Sequence, residues 1–140
     1  MEHSIVFFFA IIIILGALLF AFISNLSRKS VKKLDVEYFR AKCLKNEHQL
    51  KQDEPSSYHL SVLNADKLVD QALKGRRIRG ETMGERMKNA SELFSDKNGI
   101  WAAHKLRNKI AHESDAYLTY SDALRALKSF RTALKDLGAI

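Results

Sequence analysis

The sequence is dominated by one uncharged stretch, IVFFFAIIIILGALLFAFI, which runs from residue 5 to residue 23. Every residue in it except Gly16 is apolar. As an α-helix it would be roughly 28 Å long, which matches the hydrocarbon core of a bilayer. A buried helix of a soluble protein usually shows a polar stripe, and this stretch has none. We therefore expect residues 1–27 to form a single transmembrane anchor.

A cleaved signal peptide is the alternative interpretation of the same stretch. Signal peptides begin with a positively charged region and have a shorter apolar core. This chain begins with Met-Glu-His-Ser and has no Lys or Arg before residue 28. The sequence therefore favours a retained anchor.

The charges that follow the apolar stretch predict its orientation. The positive-inside rule keeps a basic flank on the cytoplasmic side. We therefore expect a single-pass protein of the cell membrane, with its N-terminus outside and residues 28–140 in the cytoplasm. The basic flank is also a candidate for contact with anionic lipid headgroups. It consists of Arg28, Lys29, Lys32 and Lys33.

The composition beyond residue 27 limits what this part of the chain can be. It contains all 23 Lys and Arg and 15 of the 16 acidic residues, so its net charge is +8. Its length of about 110 residues suffices for one small domain and excludes two catalytic domains. One Cys excludes a disulfide framework, and the His residues show no metal-ligand spacing. We expect neither a metal nor a cofactor.

The spacing of apolar residues predicts an all-α fold, with an up-and-down helical bundle after the membrane helix. We divide this part into a basic juxtamembrane segment with a first helix or stalk (28–55) and a helical domain (56–140). Four residues of the first helix are expected to face inward: Leu34, Tyr38, Ala41 and Leu44. The stripe through Val62 and Val69 is expected to face inward on the second helix and Leu124 on the last, which should end at Gly138. The predicted helices cover about 31–53, 56–74, 81–94, 100–111 and 121–137.

The segment LRNKIAHE, residues 106–113, is the most informative for function. An Arg can hold a phosphate at two oxygens, and a His can take the proton of a ribose 2′-hydroxyl near neutral pH. On a continuous helix Arg107 and His112 lie about 140° apart. They would converge only if the helix ends near His112 or across a symmetric interface. The structural alternative is a His stabilised by the helix dipole, beside an Arg whose stem covers apolar surface.

The pattern Arg107-Asn108-x-x-Ala111-His112, late in a helical bundle, resembles the HEPN superfamily. Nucleases of that superfamily carry an Arg and a His separated by four to six residues, often with Asn directly after the Arg. The resemblance spans about residues 56–140. It implies a metal-independent endoribonuclease with Arg107, Asn108 and His112 as catalytic residues. It also implies a homodimer in which the Arg and His of two protomers meet in one cleft.

The resemblance leaves a second function open, because the superfamily also contains members without catalysis. The alternative is a membrane-tethered helical module that binds RNA, a nucleotide or a regulatory protein partner that the sequence does not identify. Some minimal toxin members carry a Tyr two residues after the His, where this chain has Ser114. This difference argues against a toxin-type regulatory scheme, although not against cleavage.

Further basic residues are candidates for RNA contact. Three lie between Gly75 and Gly80, in a predicted mobile loop that is either a solvated connection or a phosphate contact. His104 lies one turn before Arg107 on nearly the same face, where a packed structural His is the alternative. The complete set is Arg76, Arg77, Arg79, His104, Lys105 and Lys109.

Overall fold

The computed structural model describes residues 2–27, 34–113 and 115–140. The described residues form α-helices and one short 3-10 helix, and they contain no β-strand. This confirms the predicted all-α class. The chain divides into two compact units, Met1–Val31 and Lys32–Ile140.

The first unit contains one helix, α1 (Glu2–Ser27). Its described side chains are those of Phe8, Phe9 and residues 11–21, and all of them are exposed. Among the residues that the structure describes, no helix is both long enough and apolar enough to cross a membrane. A membrane span in α1 stays a prediction from the sequence. The predicted membrane-surface residues Arg28, Lys29, Lys32 and Lys33 lie outside the described residues.

The second unit is a bundle built around its second helix, α3 (Pro55–Gly75). This helix packs against α2, α4, α5 and α6, and α5 and α6 also pack directly against each other. The helices of this unit are α2 (Val36–Gln49), α3 (Pro55–Gly75), α4 (Met83–Asn89), a 3-10 turn (Ser91–Leu93), α5 (Lys97–His112) and α6 (Tyr120–Asp136).

The core forms where the apolar stripes of α3, α5 and α6 meet. Val62, Val69 and Ala72 of α3 are fully buried, as the spacing of three and four residues predicts. Ile100 of α5 and Phe130 of α6 pack into the same cluster. The sequence therefore predicted correctly which face of α3 points inward.

The inward face of α2 differs from the prediction. Phe39, Cys43 and Asn46 are buried, whereas Tyr38 and Leu44 are 44% and 43% exposed. Both sets of residues have helical spacing, so periodicity alone does not decide between them. Packing decides, because burying Phe39 removes a whole aromatic ring from water. Leu124 was likewise predicted to face inward, and it is half exposed on α6.

A second contact holds α2 in the bundle. Nη1 of Arg131, on α6, donates to both carboxylate oxygens of Glu47 at 2.7 and 2.8 Å. The ion pair joins residues 84 positions apart in the chain. Residues 36–49 are therefore an integral part of the helical unit.

The ends of α5 and α6 determine where the candidate motif lies. Asp96 caps α5 by accepting a hydrogen bond from the Gly99 amide at 2.8 Å, and α5 ends at His112. Thr119 caps α6 in a capping box with Asp122. His59 of α3 donates from Nε2 to the Ala116 carbonyl at 2.9 Å, which fixes the connection after α5.

Candidate functional site

Arg107 and Asn108 line an open cleft of about 690 Å³. The other walls come from α3, through Asp66 and Asp70, and from the start of α4, through Arg86. His104 lies in the same cleft, one turn before Arg107. The structure thus brings three of the residues predicted from the sequence to one place.

Asp66 holds the α5 residues of this cleft in position. Its carboxylate is only 3% exposed, and Oδ1 accepts a hydrogen bond from Nδ1 of His104 at 2.8 Å. Oδ2 lies 3.2 Å from Nε of Arg107. A buried carboxylate needs such partners, because an unpaired buried charge is costly. Asp66 therefore fixes two side chains of α5 against α3.

Arg107 is neither buried nor freely mobile. Its side chain is 36% exposed, and besides Asp66 it contacts Asn108, whose Oδ1 accepts from Nη1 at 3.0 Å. These two contacts leave guanidinium N–H groups without partners among the described residues. The result is a cation of fixed orientation whose remaining donors are available to an anion in the cleft, as phosphate binding requires.

His104 is both a packed residue and a residue of the cleft wall, the two roles that its sequence position allowed. It is buried, and its ring meets Trp101 edge to face with ring centres 6.2 Å apart. Because an ionised carboxylate only accepts, Nδ1 of His104 is the donor in its hydrogen bond with Asp66. His104 therefore packs as a structural residue and also contributes to the wall of the cleft.

His112 is not part of this cleft. It is the last residue of α5, and its side chain is exposed. The helix is continuous from Arg107 to His112, so the two side chains leave the axis about 140° apart. Ser114 lies outside the described residues. A single protomer does not bring Arg107 and His112 together.

Backbone hydrogen bonds hold the loop that follows α3. The Ile78 amide donates to the Leu73 carbonyl at 3.0 Å, and Arg77 takes the left-handed conformation with φ of 58°. This is the Schellman arrangement that ends many helices, usually with Gly at the left-handed position. Arg79 is held as well, because Asn89 donates to its carbonyl at 2.8 Å.

Arg86 anchors the far end of the same loop. It is buried, and Nη1 donates to the carbonyls of Gly80 and Glu81 at 2.6 and 3.2 Å. Gly80 is required here, because its φ is +146° and a Cβ would lie 2.7 Å from the Arg86 amide. These contacts hold both ends of the loop. Arg76, Arg77 and Arg79 do not line the cleft.

A carboxylate in the cleft wall has a shifted pKa. Burial acts to raise the pKa of Asp70, but hydrogen bonds from Lys74 and Arg86 outweigh it and hold the pKa below its ordinary value. The two cations lie 2.7 Å from Oδ2 and Oδ1. Asp70 is therefore an ionised, structural partner of Arg86.

Lys105 and Lys109, the remaining candidates for RNA contact, are exposed on α5. Nζ of Lys109 lies 3.9 Å from Glu113, one turn further on, which partly compensates its charge. Neither residue lines the cleft. They stay predictions for a surface contact.

Asp66 is a residue of the cleft that was not predicted, although the sequence carries a signal for it. Asp66 stands four residues after Val62 and three before Val69, within the inward stripe of α3. An acid at such a position must find a buried partner. Its partner is 38 residues away, so the spacing pattern does not reveal it.

Comparison of the chain with protein-family models, with curated proteins and with solved structures finds no match. Within the described part of the chain, no group of three or more His, Cys, Asp or Glu side chains is placed to hold a metal ion.

Proposed function

We propose that this chain is a membrane-anchored, cytoplasm-facing endoribonuclease of HEPN type that acts as a homodimer without a metal. One observation carries the proposal: Arg107 is fixed by Asp66 and Asn108 in an open polar cleft, with guanidinium donors left over. A prearranged cation of this kind stabilises the charge that develops on a phosphate during cleavage.

In the proposed reaction His112 acts as general base. It takes the proton of a ribose 2′-hydroxyl, and the 2′-oxygen attacks the adjacent phosphorus. The bond to the 5′-oxygen breaks, and that oxygen takes up a proton as it leaves. The products are a 2′,3′-cyclic phosphate and a free 5′-hydroxyl. Arg107 holds the non-bridging oxygens throughout.

The placement of the two residues supports a homodimer. Since Arg107 and His112 of one chain point to different sides of α5, the His in each cleft has to come from the other protomer. Two-fold contacts bring identical patches together, so the α5 faces of two chains would form two such sites. A membrane anchor would favour this association by confining the protomers to one plane.

The sequence supports the proposed location in the cell membrane. The uncharged stretch at residues 5–23 is long enough for a bilayer, and the basic residues after it favour the cytoplasmic side for the helical unit. An RNA substrate fits that side of the membrane.

The test is cleavage of labelled single-stranded RNA by the full chain in detergent, with EDTA present. We expect cleavage of RNA and not of DNA, because DNA lacks the 2′-hydroxyl. His112→Ala should abolish cleavage and retain RNA binding. The matched control is His48→Ala, which removes another exposed helical His and should cleave as wild type does.

Two outcomes would overturn the proposal. Equal cleavage by wild type and His112→Ala would identify a contaminating nuclease. Binding of RNA without cleavage by the purified dimer would support the alternative, a non-catalytic membrane-tethered module. That alternative is favoured by one observation, which is that His112 lies outside the cleft of its own chain.

A further inference from the structure

We infer that a groove between α2 and α3 binds single-stranded RNA and leads it into the Arg107 cleft. The inference rests on the proposed function insofar as RNA is the substrate. The groove has a volume of about 370 Å³. Lys42 and Lys45 line it from α2, and Asn64 and Lys67 line it from α3.

The charge of the groove points to a polyanion. Lys42, Lys45 and Lys67 are exposed, and no acidic side chain lines the groove. Within the described residues none of these three lysines forms an ion pair, whereas Lys51, Lys74, Lys97 and Lys109 do. Three uncompensated cations along one groove produce the positive potential that attracts a phosphate backbone.

An unsatisfied amide points to a ligand with hydrogen-bonding groups. Asn46 lines the groove and is only 8% exposed, yet its side chain makes no hydrogen bond to any described residue. The Asn46 amide is not among the fully buried unpartnered groups of the described residues, so it keeps some exposure to solvent. Buried amides are normally paired, because leaving them unpaired is costly. Ribose hydroxyls and base edges would supply partners.

An exposed aromatic ring favours single-stranded RNA over a lipid headgroup. Tyr38 lines the groove and is 44% exposed, with Nζ of Lys42 5.7 Å from the centre of its ring. Unpaired bases stack on such rings, and a neighbouring cation binds the phosphate. A headgroup needs the charge alone, whereas the groove offers charge, amides and an aromatic face.

The groove and the cleft are contiguous. Asn64 and Lys67 line both of them, because they lie on the ridge of α3 between the two. A strand bound along α2 and α3 would therefore continue past Lys67 towards Asp66 and Arg107. The groove extends the contact beyond the scissile phosphate, and it would set the affinity for RNA while Arg107 and His112 supply the chemistry.

The test compares two triple variants of the full chain in detergent. The groove variant carries Lys42→Gln, Lys45→Gln and Lys67→Gln. The control carries Lys88→Gln, Lys128→Gln and Lys135→Gln, which replace exposed lysines on other surfaces and change the net charge equally. The measurement is fluorescence anisotropy with a labelled single-stranded RNA over a series of salt concentrations, with circular dichroism to confirm folding.

We expect the groove variant to lose affinity about tenfold or more and the control to change little. Each phosphate contact contributes about 0.7 to the logarithmic salt dependence of single-strand binding, so the slope should fall by about 2. Asn46→Asp, which places a negative charge in the groove at constant size, should weaken binding as well.

Equal affinity of the two triple variants, or no binding of RNA by wild type, would overturn the inference. A second outcome would also overturn it. If the groove variant binds RNA as wild type does but no longer prefers phosphatidylserine vesicles to phosphatidylcholine vesicles, the groove binds lipid headgroups instead. The proposed function fails separately: RNA bound through the groove but never cleaved would refute catalysis and leave the inference standing. Cleavage with the same KM in wild type and the groove variant would refute the inference and leave the proposed function standing.

Discussion

Arg107 and Asp66 form an ion pair between α5 and α3, with 3.2 Å between Nε and Oδ2. The carboxylate is buried, whereas the guanidinium reaches the cleft. The pair therefore satisfies a buried charge and at the same time sets the direction in which Arg107 presents its remaining donors. The residue that carries the proposed chemistry is also part of the packing of the bundle.

This pair predicts a measurable coupling in stability. Asp66→Ala and Arg107→Ala should each lower the free energy of unfolding by about 2 kcal/mol, because each leaves a partner unsatisfied. The double variant should lose less than the sum, since the second substitution removes a group already without its partner. The control pair is Glu37 with Arg40, which is exposed and should show almost no coupling. Additive losses in denaturant unfolding of the Asp66 and Arg107 variants would refute the pairing.

The C-terminal ends of α3 and α6 provide a matched pair of helix stops. Gly138 after α6 has φ of 63° and Arg77 after α3 has φ of 58°, with equivalent backbone hydrogen bonds. Since L-residues are strained in this conformation, Arg77→Gly should raise the free energy of unfolding by about 1 kcal/mol, and Gly138→Ala should lower it by about 1 kcal/mol. Arg76→Gly, at an ordinary helical φ, should not stabilise. Shifts of the thermal midpoint in the same direction for Arg77→Gly and Gly138→Ala would contradict the assignment.

The lowered pKa of Asp70 predicts sensitivity to acid. A carboxyl whose pKa is lowered by folding stabilises the protein at pH values above its pKa in the unfolded chain, which is 3.8 for Asp70. That stability is lost as the pH falls below that value and through the lowered folded pKa. Asp70→Asn should therefore unfold more easily than wild type near neutral pH, where Asp70 is ionised, but its stability should decline less steeply in acid. Asp53→Asn, at an exposed carboxylate without a described ion pair, should retain the wild-type profile. An unchanged acid slope in Asp70→Asn would rule out this contribution.

The predicted topology can be tested with cysteine labelling. Burial, reinforced by the Glu47 carboxylate, raises the pKa of the Cys43 thiol, so the native Cys should react slowly with maleimides. Against this low background, His3→Cys should label from outside intact cells, and Asp53→Cys should label only after the membrane is made permeable. Labelling of Asp53→Cys alone from outside would invert the topology. Labelling of neither residue in membranes, together with release of the chain by carbonate, would refute the anchor.

Several features of the bundle could be read directly from the sequence. The positions of α3, α5 and α6 and the inward stripe through Val62 and Val69 follow from apolar spacing, because a helix has a fixed period and its face is a local property of the chain. Gly138 was recognisable as the end of the last helix for the same reason. The membrane anchor at residues 5–23 rests on a local property as well, and it stays a prediction.

Only the tertiary structure decided which residues meet. On α2, Phe39 rather than Leu44 faces the core of the bundle. Both lie on apolar stripes of the same helical period, so packing decides which stripe is buried. Asp66 joins His104 and Arg107 in one cleft, whereas His112 stays outside it, because those contacts join helices that are distant in sequence. Periodicity determines the direction in which a side chain leaves its own helix, and the packing of one helix on another determines what that side chain contacts.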